Sequence, residues 1–161
     1  MTVEALFGLS ILMSFLAFGI VARLYIWPRV AAAPRDDALA ALAAPHMFRF
    51  IGLSFLVPGV VSPTLSPDFA VLAAYGDLGA TILAILTVLA LSARLSWAIP
   101  VAWVFNIWGT VDLLDAFYQG QIGVGIGPGS LGAAYFIPTV IVPLLLTTHG
   151  LMFWLLARPR R

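Results

Sequence analysis

Seven side chains able to do acid–base, anion-binding or amide chemistry stand in stretches that are otherwise apolar. Asp77, Asp112 and Asp115 are carboxylates that could take or deliver a proton, and His149 is a candidate acid/base or relay group. His46 and Arg49, three residues apart, could clamp a phosphate or carboxylate head, or could simply snorkel to headgroups. Asn106 supplies a buried amide. At about 100° per residue, Trp108, Asp112, Asp115 and Gln119 share one helical face, while Asn106 falls on another. Tyr135, Thr139 and His149 belong to a seam at alternating spacings of four and three, the pattern of a helix packed on a partner. Trp108, Asn106, Tyr135, Thr139, Gln119, His46 and Arg49 are therefore the ligand-binding candidates beside the catalytic candidates Asp112, Asp115, Asp77 and His149.

The elements that carry these residues are spans of a membrane. Of 161 residues, 62% are hydrophobic and 9% charged, against about a quarter charged in a soluble domain. That leaves too little polar surface to cover a water-exposed globule. The net charge of +1 argues against nucleic acid as a partner. With no cysteine there is no disulfide framework, thiolate nucleophile or cysteine-held metal centre. All the basic residues are arginine, a bias that fits GC-rich coding.

The expected fold is all-α: a single bundle of five transmembrane helices in one domain over residues 1–161. The spans are expected at about 3–27, 45–62, 68–93, 97–119 and 131–157. The first ends in Tyr25-Ile26-Trp27-Pro28-Arg29, an aromatic anchor followed by a helix stop and a positive charge. It is read as a retained helix, since its start is acidic and its apolar core too long for a signal peptide. Residues 28–44 read as a polar tether, whose DDALAALAAP half could form a short surface helix. Pro58-Gly59 should fray the far end of the short second span. Ser66-Pro67-Asp68 announces the third with an N-cap, a proline at N1 and an early acid. Gly-rich 120–130 precedes the fifth.

Arg23, Arg29, Arg35, Arg94, Arg158, Arg160 and Arg161 then fall on one side, which the positive-inside rule makes cytoplasmic. The N-terminus is expected outside, the C-terminus in the cytoplasm, and the location a cell membrane, as in a bacterial inner membrane.

Counting about 1.5 Å per residue from the cytoplasmic helix ends puts Arg49 about 6 Å deep, His149 about 12 Å and Asn106 about 15 Å. The same count puts Asp112, Asp77 and Asp115 about 24–28 Å deep. Two layers result, and Arg49 stands out of reach of the acids. Unpaired carboxyls there would either hold a proton or meet a water-filled vestibule. The fourth helix is marginal as an isolated span, because a central Asp costs roughly 2.5–3.5 kcal/mol against about 0.3–0.6 returned by each Leu, Ile, Phe or Val. Its acidic face should turn into the bundle.

Several other signals are set aside. Gly127-Pro128-Gly129-Ser130-Leu131-Gly132 matches a dinucleotide fingerprint by letter, with no strand before it. A haem between His46 and His149 conflicts with their depth difference, and no metal or other cofactor is expected.

The leading functional expectation is binding, or acid/base isomerisation or cyclisation, of a lipophilic substrate such as an isoprenoid or sterol-like molecule. A structural subunit of a larger membrane complex, with the polar residues as interhelical glue, is the second. A proton-coupled small transporter is the third. Partners would be membrane lipid or a lipophilic small molecule, with a membrane-protein partner or a second copy as further options.

Overall fold

The computed structural model describes residues 1–120 and 126–158. Among them the chain is helical almost throughout, with no strand beyond an isolated bridge between Pro58 and Val61. Helix α1 is Val3–Ala32, with a π-wound turn at Ala22–Ile26. Helix α2 is Arg35–Leu56, α-wound over Arg35–Ala43 and 3-10-wound over Ala44–Leu56. Helix α3 is Pro67–Ser92 and α4 is Ala98–Tyr118. A 3-10 segment, Pro128–Tyr135, leads into α5, Ile137–Ala157. Four of these helices, α1, α2, α3 and α5, are long and apolar enough to cross a membrane, as expected of a membrane protein. Helix α4 has the length, at 21 residues, but Asn106, Asp112 and Asp115 lower its hydropathy and it is not in that set.

The sharpest departure from expectation is α2. It begins at Arg35 and ends at Leu56, where the sequence suggested 45–62. The expected tether at 28–44 is absent: Trp27–Ala32 completes α1, and DDALAALA is the first half of α2, burying Ala38, Leu39, Leu42 and Ala43. Pro45 has no amide hydrogen, so the α ladder is interrupted where the tighter winding sets in. A 3-10 helix repeats every three residues and rises about 2.0 Å per residue, and runs beyond a few residues are uncommon. This one has 13. Its three-residue repeat aligns His46, Arg49, Gly52 and Phe55 in one buried column, with Phe48, Phe50 and Ile51 turned outward.

Helix α3 starts as its sequence announces. Ser66 Oγ accepts from the Phe69 amide and Pro67 takes the first turn. Its buried face is built of small residues, Ala70, Ala73, Ala74, Ala80, Ala84 and Ala90, with Asp77 among them, and this lets α2 and α4 approach closely. The α3–α4 turn closes with Leu95 N–H on Ala90 O and Arg94 N–H on Leu91 O, Arg94 taking a φ of 55°, the geometry of a Schellman cap.

The α2–α3 connection packs on Pro128–Tyr135. Ala133 N–H donates to Val60 O and Ser62 N–H to Ser130 O. Gly132 has a φ of 53°, and a Cβ there would overlap Val60 O, so this crossing needs glycine.

The core has two apolar clusters. One, at the arginine-bearing end, gathers Val30, Leu39, Leu42, Leu91, Phe105 and Met152. The other, at the far end, gathers Phe7, Phe55, Phe69, Leu113, Val142 and Leu145. The polar residues lie between them.

Candidate functional site

Arg49 is the centre of that polar layer. Its side chain is 1% exposed, against 10% for Asp77 and 17% for Asp112. Nε donates to Asp77 Oδ1 at 2.7 Å, Nη2 to Asp112 Oδ2, and Nη1 to Gly109 O at 3.1 Å. One guanidinium thus ties together α2, α3 and α4. This corrects the expectation that Arg49 lies far below the acids, and with it the anion clamp of His46 and Arg49 at the membrane surface. The cause is the longer, differently wound α2. Counted from Arg35, with about 1.5 Å per α residue and about 2.0 Å per 3-10 residue, Arg49 lies about 25 Å along the helix. That is level with Asp77 and Asp112.

The close approach depends on three glycines. A Cβ on Gly52 would overlap the Asp77 carboxylate, and one on Gly76 would overlap Asp112 Oδ1. One on Gly109 would stand 2.7 Å from His149 Nε2 and 3.0 Å from Arg49 Nη1. Each of α2, α3 and α4 therefore contributes a charged residue and, within three positions of it, a gap for a neighbour's polar group.

Contiguous with the ion cluster is a histidine layer. His149 Nδ1 is 2.7 Å from Asn106 Oδ1, and Asn106 Nδ2 donates to His149 O. The amide orientation makes Nδ1 the donor, so in a neutral ring Nε2 carries the lone pair. That nitrogen is buried, has no hydrogen-bond partner, and shares the niche over Gly109 with Arg49 Nη1. His46 Nε2 is 2.8 Å from Thr148 Oγ1. The two imidazoles are in contact, 4.1 Å between centroids, and both pack on Phe105. The expected depth difference between His46 and His149 is thus absent, for the same reason that Arg49 moved. Their rings pack directly on each other, with no gap for a planar macrocycle. Among the described residues no group of three or more His, Cys, Asp or Glu is arranged to hold a metal ion.

The remaining sequence candidates are spread out. Helix α4 buries Ala102, Phe105, Asn106, Gly109 and Leu113, a line offset from the face that holds Trp108, Asp112, Asp115 and Gln119. Only Asp112, on the border, reaches the cluster. Trp108 is 52% exposed and lies along Gly79 of α3, so the face does not turn wholly inward as expected. Asp115 and Gln119 are half-buried and make no side-chain hydrogen bond among the described residues. Thr139 is buried and donates to Tyr135 O, and the Tyr135 hydroxyl is 3.3 Å from Ser10 Oγ on α1. Tyr135, which also packs on Phe7, ties the 3-10 segment to α1, the Thr139 bond is local, and both residues stand apart from the ion cluster. Residues 121–125 of the Gly-rich loop lie outside the described residues, as do Arg160 and Arg161.

A cavity of about 60 Å³ opens from the far end of the bundle and stops on Asp77 and Asp112. Its walls are apolar, among them Phe7, Phe55, Phe69, Leu113, Phe117 and Val142. About 10–15 Å³ of such space holds one water, so a few waters or one slender group could reach the carboxylates. The sequence reading missed Thr148, Phe55, Gly52 and Gly109, while Gly76 stands among the small residues expected to let a neighbouring helix approach closely. A signal was present in the three-residue spacing of His46, Arg49, Gly52 and Phe55, and in Gly109 standing three before Asp112.

Residues 6–157 match the family described as Domain of unknown function (DUF8737). The chain belongs to that family. No curated protein and no solved structure matches it.

Proposed function

We propose that this chain is a five-span protein of a cell membrane, N-terminus outside, that binds a lipophilic molecule through a hydrogen-bond-donating or cationic head. The observation that carries the reading is the apolar cavity ending on Asp77 and Asp112. The cluster beneath holds one guanidinium and two carboxylates, a formal charge of −1 when all are ionised. An amine or hydroxyl entering head first would meet acceptor oxygens, and a carboxylate would meet repulsion. Acid-catalysed isomerisation or cyclisation is the weaker form of the reading, because an arginine-paired carboxylate is an acceptor and a general acid must bring a proton.

The test is ligand preference in lipid nanodiscs, read by thermal stabilisation with octylamine, octanol and octanoate. The amine should stabilise most and the carboxylate least, and Asp112→Asn should flatten the series. Equal stabilisation by octanoate and octylamine would sink the reading.

Proton-coupled transport is a second reading. It is favoured by the shared niche over Gly109, where His149 Nε2 and Arg49 Nη1 meet and join the acids to the histidine layer. Flux in proteoliposomes that ignores a pH gradient would remove it.

A further inference from the structure

At the end of the bundle opposite the cavity, four elements enclose an open groove. They are the end of α1, the start of α2, the α3–α4 turn and the end of α5, and they contribute Val30, Arg35, Arg94, Ser96, Leu155 and Arg158. The arginines are in different electrical situations. Arg94 lies 2.7 Å from Asp37 and 3.6 Å from Asp36, the second of which also lines the groove. Arg35 donates through Nη2 to Leu156 O at 2.8 Å, yet its Nε–H is buried without an acceptor. Arg158 stacks on Trp154, next to Trp27, and has no ion pair among the described residues. Arg35 and Arg158 therefore face one groove without an ion pair among the described residues, in a cluster of three arginines and two aspartates with a formal charge of +1, and Arg35 holds a donor that lacks a partner. A buried donor left unmade is costly, and a turn of the Arg35 side chain toward the groove would bring it to a phosphate oxygen.

We propose that this groove binds the headgroup of one anionic phospholipid, its phosphodiester held between Arg35 and Arg158. Two features select a lipid over a free anion. Val30 and Leu155 give the groove an apolar side, which suits the glycerol and first methylenes. Trp27 and Trp154 pack edge to face beside it, as tryptophans do at the headgroup level of a bilayer. Basic pockets between helix ends are a known form of headgroup site. The inference is independent of the far cavity and of the ligand proposed there.

The experiment uses the full chain extracted in mild detergent, with native mass spectrometry after mixing in equal phosphatidylglycerol and phosphatidylcholine. One phosphatidylglycerol per chain should be retained in preference. Arg158→Ala and Arg35→Gln should each lower that preference about fivefold, the weight of one arginine at a membrane surface, and Arg158→Lys should restore much of it. Arg29→Ala is the control, because Arg29 is exposed, donates to Tyr25 O and lies outside the groove. If Arg35→Gln does not elute as a monodisperse species, Arg158→Ala against Arg158→Lys carries the comparison alone. Equal retention of the two lipids would overturn the proposal. So would an equal loss in Arg29→Ala, which would mean a diffuse positive surface. Stabilisation by millimolar inorganic phosphate that matches phosphatidylglycerol would also overturn it, leaving a free-anion site.

Discussion

Replacing Arg49 with methionine tests the ion cluster most directly. The substitution keeps most of the side-chain volume and removes the charge, leaving Asp77 and Asp112 facing each other with side chains 10% and 17% exposed. Removing one partner of a buried ion pair costs roughly 3–5 kcal/mol, because the remaining charge is stranded. For a chain of this length that corresponds to a fall in Tm of roughly 6–20 °C. Asp77→Asn or Asp112→Asn should behave differently. Each weakens one hydrogen bond, worth about 1–2 kcal/mol, but also leaves a balanced one-to-one pair where there were two carboxylates to one guanidinium. The triple variant Arg49→Met, Asp77→Asn, Asp112→Asn removes all the charges together, and by the same reasoning should return to within about 1–2 kcal/mol of the parent. Thermal unfolding in mild detergent, followed by intrinsic fluorescence and size-exclusion recovery, ranks the variants. If Arg49→Met is no worse than Asp77→Asn, or the triple no better than Arg49→Met, the cluster does not hold the three helices as described.

Four further outcomes follow from the packing. Gly109→Ala should cost about 1–3 kcal/mol by overpacking, since its Cβ would stand 2.7 Å from His149 Nε2. Gly150→Ala, with nothing within 4 Å, should gain about 0.5–1 kcal/mol as an exposed helix position; melting temperatures of the pair check both signs. Asn106→Leu should cost about 1–3 kcal/mol by orphaning His149 Nδ1, and adding His149→Leu should recover part of it, measured as a double-mutant cycle. Gly132→Ala should loosen the far-end crossing, seen as faster amide exchange at Ala133, whose N–H now bonds Val60 O at 2.8 Å.

The helices other than α2 were largely legible from their apolar runs, and Thr2 and Ser66-Pro67 capped α1 and α3 as their letters imply. The pairing of His149 with Asn106 was legible too, since both lie at similar depth from their helix ends. Arg49 was not. Its depth was counted from Pro45 as though a helix of 1.5 Å rise began there. The polar letters of Arg35, Asp36 and Asp37 disguised the true start, and no propensity scale announces 13 residues of 3-10 winding. Two misplacements in the site, Arg49 below the acids and His46 apart from His149, descend from that one error in rise and origin.

The same geometry bears on how α2, α3 and α4 can exist in a bilayer at all. Taken singly, each holds a residue that resists insertion: Arg49, Asp77 and Asp112 at roughly 2.5–3.5 kcal/mol apiece near a helix centre. Helix α4, with Asp115 and Asn106 besides, already falls outside the set of helices apolar enough to cross. Brought to one level, the guanidinium satisfies both carboxylates and the Gly109 carbonyl, and the three insertion costs offset one another. The glycines at 52, 76 and 109 let those groups come within bonding distance, and the three-residue repeat of α2 keeps Gly52 directly above Arg49. In the five-span reading proposed above, insertion of α4 is coupled to the arrival of α2 and α3. In that reading Asp112 is tolerable in a membrane because Arg49 answers it from another helix, Asp115 stays half-buried without a partner among the described residues, and the carboxylate oxygens left over face the cavity.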